Sequence, residues 1–131
     1  MVRNLEDLVA YQLAMEIGDE IWIVVNKWPF FEKDTLGKQI TRSADSIALN
    51  IAEGYGRFHF KENKNFCYYA RGSHFETQSA LKKAKSRHLI DESTFEVISQ
   101  KLERFHKILN GYIKSIGASE NNNLFPDHSS L

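Results

Sequence analysis

Cysteine is almost absent from the sequence, and proline is scarce. Cys67 is the single cysteine, so no disulfide can form within the chain, and a disulfide-stabilised fold is excluded. The 2 prolines, Pro29 and Pro126, lie outside the helical patterns of the sequence. Because proline inside a helix removes a hydrogen bond and clashes with the preceding turn, their placement favours long uninterrupted helices.

Long apolar runs are also missing. No run approaches the roughly 18 apolar residues that a membrane-spanning helix needs. The residues that follow Met1 lack the apolar core of a secretory signal. Together with the unpaired Cys67, these features lead us to expect a cytoplasmic protein with no membrane partner.

Net charge is the third absence. The formal net charge is +0, which argues against strong non-specific binding of nucleic acid by a monomer. The charge is nevertheless uneven, since residues 1–30 hold two basic and five acidic side chains, a net −3. Residues 59–88 hold seven basic and two acidic side chains, a net +5. Because of this positive segment, we retain the hypothesis that residues 59–88 contact nucleic acid locally.

Apolar side chains recur every three or four residues along most of the chain, which is typical of amphipathic helices. The pattern predicts a first helix over 5–27 and a third over 61–87. A second helix is expected to begin near Thr35, with Asp34 or Thr35 as its N-cap.

The fourth helix has the clearest period, a heptad-like seam from Phe95 to Ile116. Ser93 and Glu96 have the spacing of a capping box at its start, and Gly117 is a natural stop. Four such helices predict an all-α fold, an antiparallel up-and-down four-helix bundle over 1–117. The polar residues 118–131 are expected to form a flexible C-terminal tail.

The second helix has two distinct faces. The apolar face holds Leu36, Ile40, Ala44, Ile47 and Ile51. The other face carries mostly short or uncharged polar groups, namely Gln39, Ser43, Ser46, Asn50, Glu53 and Arg57. Short polar groups allow close approach and need hydrogen-bond partners. We therefore expect this helix to pack on its own core and, through the polar face, on something else, such as copies of the same chain.

Three glycines carry expectations of their own. Gly54 and Gly56 are expected to stop the second helix. Gly72 lies in a helix interior, where glycine costs about 1 kcal/mol relative to alanine. The close approach of another backbone is the simplest explanation for Gly72.

One carboxylate–histidine motif and the five histidines are the features of the sequence that could indicate a metal or catalytic site. Glu103-x-x-His106 has the spacing of a di-iron motif, but such a site needs a second copy and two more inward carboxylates. The histidines show no zinc-binding spacing. We therefore predict no metal, no cofactor and no catalytic residue. Four charged residues are expected to form either a network between the second and third helices or two exposed pairs: Glu53, Arg57, Arg71 and Glu76.

Basic side chains gather at the C-terminal end of the third helix. The simpler interpretation is that they complement the helix dipole on a solvated face. The functional interpretation is contact with phosphates, which a ring of copies would strengthen by placing several clusters on one side. The candidate nucleic-acid contacts are Arg57, Lys61, Lys64, Lys82, Lys83, Lys85 and Arg87.

Two ordered motifs resemble those of a known family. The first is Gln39-x-x-Arg42-Ser43-Ala44-x-Ser46-Ile47-x-x-Asn50-Ile51-Ala52-Glu53-Gly54, and the second is Ala70-x-Gly72-Ser73-x-x-Glu76. They resemble the bacterial four-helix bundle proteins encoded within intervening sequences of 23S rRNA genes, also called the S23 ribosomal protein family. The sequence departs from that pattern at His74 and Phe75, where smaller or aliphatic residues are expected, and this difference is expected to alter local packing.

The resemblance implies an up-and-down bundle that assembles into a homopentamer and has no established enzymatic activity. In a related branch, the accessory proteins of diversity-generating retroelements, a basic pentamer binds nucleic acid and a reverse transcriptase. The leading hypothesis is therefore a non-catalytic oligomeric bundle that contacts RNA or a nucleoprotein. A protein–protein scaffold without nucleic-acid binding is the alternative, and a metal-dependent enzyme is the third hypothesis.

Overall fold

The computed structural model describes residues 4–118, which form four long helices. They are α1 (Val9–Asn26), α2 (Lys38–Tyr55), α3 (Phe60–Ser86) and α4 (Glu92–Ser115). No strand is present in this part of the chain. The all-α prediction is confirmed, whereas the predicted tail, apart from Ala118, lies outside the described residues.

Each helix packs against its sequence neighbours, and α4 returns to α1, which closes the bundle. The connections 56–59 and 87–91 are short, so consecutive helices run antiparallel. The predicted apolar face of α2 is the centre of the core, because Ala44, Ile47 and Ile51 are each 0% exposed. Phe105 of α4 is buried beside them as the largest fully enclosed side chain.

The chain enters α2 earlier than the sequence pattern suggested. Helical turns begin directly after Pro29, at Phe30–Glu32, and continue through a π-helical turn, Lys33–Gly37, into α2. The expected N-cap at Asp34 or Thr35 is therefore wrong, since both residues lie inside the π-helical turn. Pro29, whose φ is −63°, takes the N-cap position instead, and its restricted φ and missing N–H cost nothing there.

The cap of α4 also differs from the expectation. Asp91 is the N-cap, and its Oδ1 accepts hydrogen bonds from Thr94 N at 2.7 Å and Ser93 Oγ at 3.0 Å. The predicted capping box at Ser93 and Glu96 is wrong by two positions, because the carboxylate of Asp91 reaches the free backbone N–H first. Gly117 confirms the predicted stop with a φ of 79°.

Within 4–118, none of the helices combines the length and apolarity that crossing a bilayer requires.

Candidate functional site

A ladder of hydroxyl groups joins α2 to α3. Ser43 Oγ lies 2.8 Å from Thr77 Oγ1, and both side chains are buried. One turn along, Ser46 Oγ lies 2.7 Å from Ser73 Oγ and 2.9 Å from the Ser43 carbonyl oxygen. Asn50 Nδ2 extends the row by donating to the Ser46 carbonyl at 2.9 Å. The short polar groups of α2 thus take their hydrogen-bond partners from the same chain.

The polar face of α2 was expected to pack on something else, such as copies of the same chain, and the ladder shows that part of this face packs on α3 instead. Ser43 is 3% exposed and leaves no surface for a second copy. Gln39, Arg42 and Glu53 remain exposed on the same helix. The middle of the polar face, from Ser43 to Asn50, therefore packs on α3, whereas Gln39, Arg42 and Glu53 are open to a partner.

Gly54 and Gly72 have roles other than those expected. Gly54 lies within α2 and is buried, and a Cβ there would come within 2.8 Å of Phe66 Cβ and 2.9 Å of the Asn63 carbonyl oxygen. It is a contact point for α3 rather than a helix stop. Gly72 is exposed, and a Cβ there would meet nothing within 4 Å in this chain. The expected close approach at Gly72 is therefore wrong within the protomer.

The proposed four-residue charge network forms only in part. Arg57 pairs with Glu53 at 2.9 Å and with Glu62 at 3.6 Å, and its guanidinium lies 4.7 Å from the Phe66 ring centroid. These ion pairs are substantially exposed, so each contributes about 0–1 kcal/mol.

Arg71 and Glu76 do not join that network. Arg71 donates to Asn110 Oδ1 of α4 at 3.0 Å and lies 5.0 Å from the Tyr68 ring centroid. On a 3.6-residue helix, Arg71 is about 160° from Ser73 around the axis, so it faces α4 while Ser73 faces α2. Glu76 is exposed and makes no ion pair with any residue in 4–118.

The seven candidate basic contacts lie at two separate ends of α3. Lys61 and Lys64 lie in its first two turns, close to Arg57, which precedes the helix. The other four, Lys82, Lys83, Lys85 and Arg87, lie at its C-terminal end. At 1.5 Å per residue, Lys64 and Lys82 are about 27 Å apart along the axis. One protomer therefore presents two basic clusters rather than one.

Two of the seven cations are already paired. Arg57 makes the contacts described above, and Lys85 lies 3.2 Å from Glu92 Oε2 and 4.4 Å from the Phe95 ring centroid. Within residues 4–118 the remaining five make no ion pair: Lys61, Lys64, Lys82, Lys83 and Arg87. These five are the cations that remain available for phosphates.

Sequence reasoning missed a stacked histidine pair between α3 and α4. The rings of His74 and His106 are 5.3 Å apart at an interplanar angle of 22°, and Phe75 packs edge-on against both. His74 is 2% exposed, and its Nε2 donates to the Leu102 carbonyl oxygen at 2.8 Å. Burial lowers the pKa of His74, which the nearby His106 reinforces and the Leu102 hydrogen bond opposes. No spacing signalled this pair, because it depends on how α3 and α4 align.

The candidate groups for catalysis or metal binding are the thiol of Cys67 and the side chains of Glu103 and His106. Burial raises the pKa of the Cys67 thiol to about 11, so it is protonated and a poor nucleophile at neutral pH. Within the described residues, no three His, Cys, Asp or Glu side chains are grouped so that they could hold a metal ion. Glu103 is exposed, while His106 packs on the bundle flank.

These features define an all-α, up-and-down bundle protein whose second and third helices are joined by hydroxyl groups. The model of the 23S rRNA-intervening sequence protein family matches residues 6–111, and the chain belongs to this family. A crystal structure of a protein of unknown function from the S23 ribosomal protein family of Bacteroides thetaiotaomicron has the same fold, with a TM-score of 0.73 and 23% identity. The match covers 82% of this chain and 100% of that chain. No curated protein matches the sequence.

Proposed function

We propose that this family member is a non-catalytic oligomer that contacts structured RNA through the unpaired cations at the two ends of α3. The observation that carries the proposal is the net +5 of residues 59–88 in a chain whose total charge is +0. Helix-dipole complementation explains only part of this charge. It suits Lys83 in the last turn but disfavours Lys61 and Lys64 near the N-terminus.

Assembly is part of the proposal, and the resemblance to the family implies a homopentamer. Several large apolar side chains are exposed on a single protomer, among them Leu49 at 65%, Tyr69 at 57% and Phe58 at 90%. A ring would bring basic ends from several copies together. Light scattering should give about five times the 15.2 kDa chain mass, whereas a stable monomer at micromolar concentration would exclude the pentamer.

The RNA contact is tested by neutralising one basic end. The triple variant K82Q/K83Q/R87Q should bind structured RNA at least tenfold more weakly than the wild type at low salt, because phosphate contacts supply most non-specific affinity. The matched control is R104Q/K107Q/K114Q, which removes three exposed, unpaired cations from α4. Equal weakening by both variants would show that the overall charge, rather than the end of α3, governs binding.

A protein–protein scaffold is the second candidate, and the exposed aromatic rings after α1 favour it. Phe30 and Phe31 are 78% and 71% exposed on the lead-in to α2. Exposed apolar clusters mark docking surfaces. A protein partner that is recovered after nuclease treatment and lost in F30A/F31A would support this function. In either case we place the protein in the cytoplasm, where a lone cysteine such as Cys67 stays reduced.

A further inference from the structure

A cavity of about 330 Å³ lies between the end of α1 and the start of α2. Its apolar lining includes Trp22 and Val25 of α1 together with Gly37. Trp22 leaves 59% of its surface exposed. The volume falls within the range of about 300–1,000 Å³ that is usual for sites of small ligands.

The rim of this cavity is cationic. Lys33, Lys38 and Arg42 line it, and none of its lining residues is acidic. Lys38 is paired with Asp34 at 3.0 Å, whereas the side chains of Lys33 and Arg42 make no ion pair within residues 4–118. Arg42 also makes no hydrogen bond there, although it belongs to the long motif of α2. Within the part of the chain that the structure describes, no ion pair or hydrogen bond accounts for an arginine at this position.

Two features of the local backbone, a π-helical turn and a glycine, form part of this cavity. The π-helical turn Lys33–Gly37 forms one wall, and turns of this kind occur frequently at functional sites. A Cβ on Gly37 would come within 2.9 Å of Val25 Cγ1, so the glycine lets α2 approach α1 closely. The approach places Arg42 on the same cavity as Trp22.

We propose that this groove binds one nucleotide of a single-stranded RNA, with the base against Trp22 and the phosphate against Arg42 and Lys33. An exposed indole beside unpaired cations suits a ligand that is both planar and anionic, because bases stack on aromatic side chains while the backbone follows positive charge. An acidic peptide would use the cations but would leave the indole face without a planar partner. The inference rests on the proposed nucleic-acid function but locates a different surface, away from the ends of α3.

Affinity for unstructured RNA tests the site. Affinity is measured by the anisotropy of a fluorescently labelled octauridylate. W22A should bind it about fivefold more weakly or worse, which is the lower end of the effect of losing one stacked base. R42Q removes a proposed phosphate contact and should weaken binding by a similar factor of about five. W22F should stay within about threefold of the wild type, because it keeps an aromatic face. I23A and K107Q are matched controls, since both residues are exposed but lie outside the cavity. Unchanged binding by W22A and R42Q would overturn the proposal.

Failure of this site is distinguishable from failure of the proposed function. If K82Q/K83Q/R87Q loses structured RNA while W22A keeps octauridylate, the function stands and the groove does not. Adenosine monophosphate provides a probe that needs no polymer, and it should shift the Trp22 indole N–H resonance in the wild type but not in R42Q. A resonance that responds to protein concentration and not to the nucleotide would instead show that a second copy covers the groove.

Discussion

Arg71 controls the hydrogen bonding of a histidine that it does not touch. A guanidinium can only donate, so Asn110 must present its Oδ1 to Arg71, at 3.0 Å, and its NH₂ group to His106 Nε2, at 3.3 Å. His106 Nε2 is therefore the acceptor in this contact. His74 donates through Nε2 to a carbonyl oxygen, and the buried Nδ1 atoms of both rings have no partner within residues 4–118. A proton added to His74 Nδ1 would find no acceptor within residues 4–118.

This arrangement predicts that the protein loses stability in mild acid. Burial lowers the pKa of His74 below its ordinary value of 6.5, so the unfolded chain takes up the proton first. The contribution of His74 is complete above about pH 6.5 and is lost as the pH falls through the folded-state pKa, by about 1.4 kcal/mol per unit of pKa difference. Urea unfolding from pH 7.5 to 5 should show a shallower decline for H74Q than for the wild type.

The matched control for the acid effect is H59Q, because His59 is exposed. H59Q should keep the wild-type decline in the free energy of unfolding with pH. If H74Q and H59Q decline equally, His74 is not the group that makes the fold acid-sensitive.

Two glycines at helix interiors are predicted to respond in opposite ways to alanine. G54A forces a Cβ against Phe66 and should destabilise the fold by about 1–3 kcal/mol, as over-packing does. G72A meets open space and should stabilise the protomer by up to about 1 kcal/mol. Thermal melts measure both effects, and destabilisation by G72A would contradict the open surface. Light scattering on G72A shows whether the substitution changes the oligomeric state, which is the expected result if Gly72 contacts another copy.

At the scale of elements, periodicity located the four long helices, although the predicted start of the first at residue 5 is wrong, since α1 begins at Val9 after a separate 3-10 turn, Leu5–Asp7. The predicted third helix, 61–87, differs from α3 by one residue at each end, because its apolar spacing and polar flanks agree. The π-helical turn before α2 was not predictable, since side-chain patterns carry no signal for an i→i+5 hydrogen bond. The polar row of α2 was found from sequence, but its partner was not, because the rotation of α3 about its axis is set by tertiary packing.

The hydroxyl ladder is predicted to act as a coupled unit. S43A leaves the buried Thr77 hydroxyl with one partner fewer and should cost about 1–3 kcal/mol of unfolding free energy. T77V should cost a similar amount. The double variant should lose clearly less than the sum, because each single change leaves the other hydroxyl without its partner across the helices, whereas the double variant removes both groups. S115A, at an exposed local hydrogen bond, is the control. Strict additivity in a denaturant-based double-mutant cycle would show that the two hydroxyls act independently.

At the scale of the whole molecule, the charges divide by helix. Part of the negative charge near α1 is neutralised within the bundle, because Lys101 of α4 forms ion pairs with Glu16 and Glu20. The positive excess on α3 lies at two ends about 27 Å apart along the axis. Sequence could identify these cations and, from the predicted length of the third helix, their separation, but not that Arg57 and Lys85 are paired with carboxylates. An assembly that joins basic ends would make a neutral chain locally basic.

The dependence of RNA affinity on salt tests this account most directly. The protein, with its oligomeric state measured by light scattering in each buffer, is titrated with a structured RNA between about 50 and 200 mM salt. If its cations neutralise about three or more phosphates, the logarithm of the association constant should fall against log salt with a slope of about −2 or steeper. A slope near zero, or no binding at the lowest salt with the oligomer intact, would contradict it.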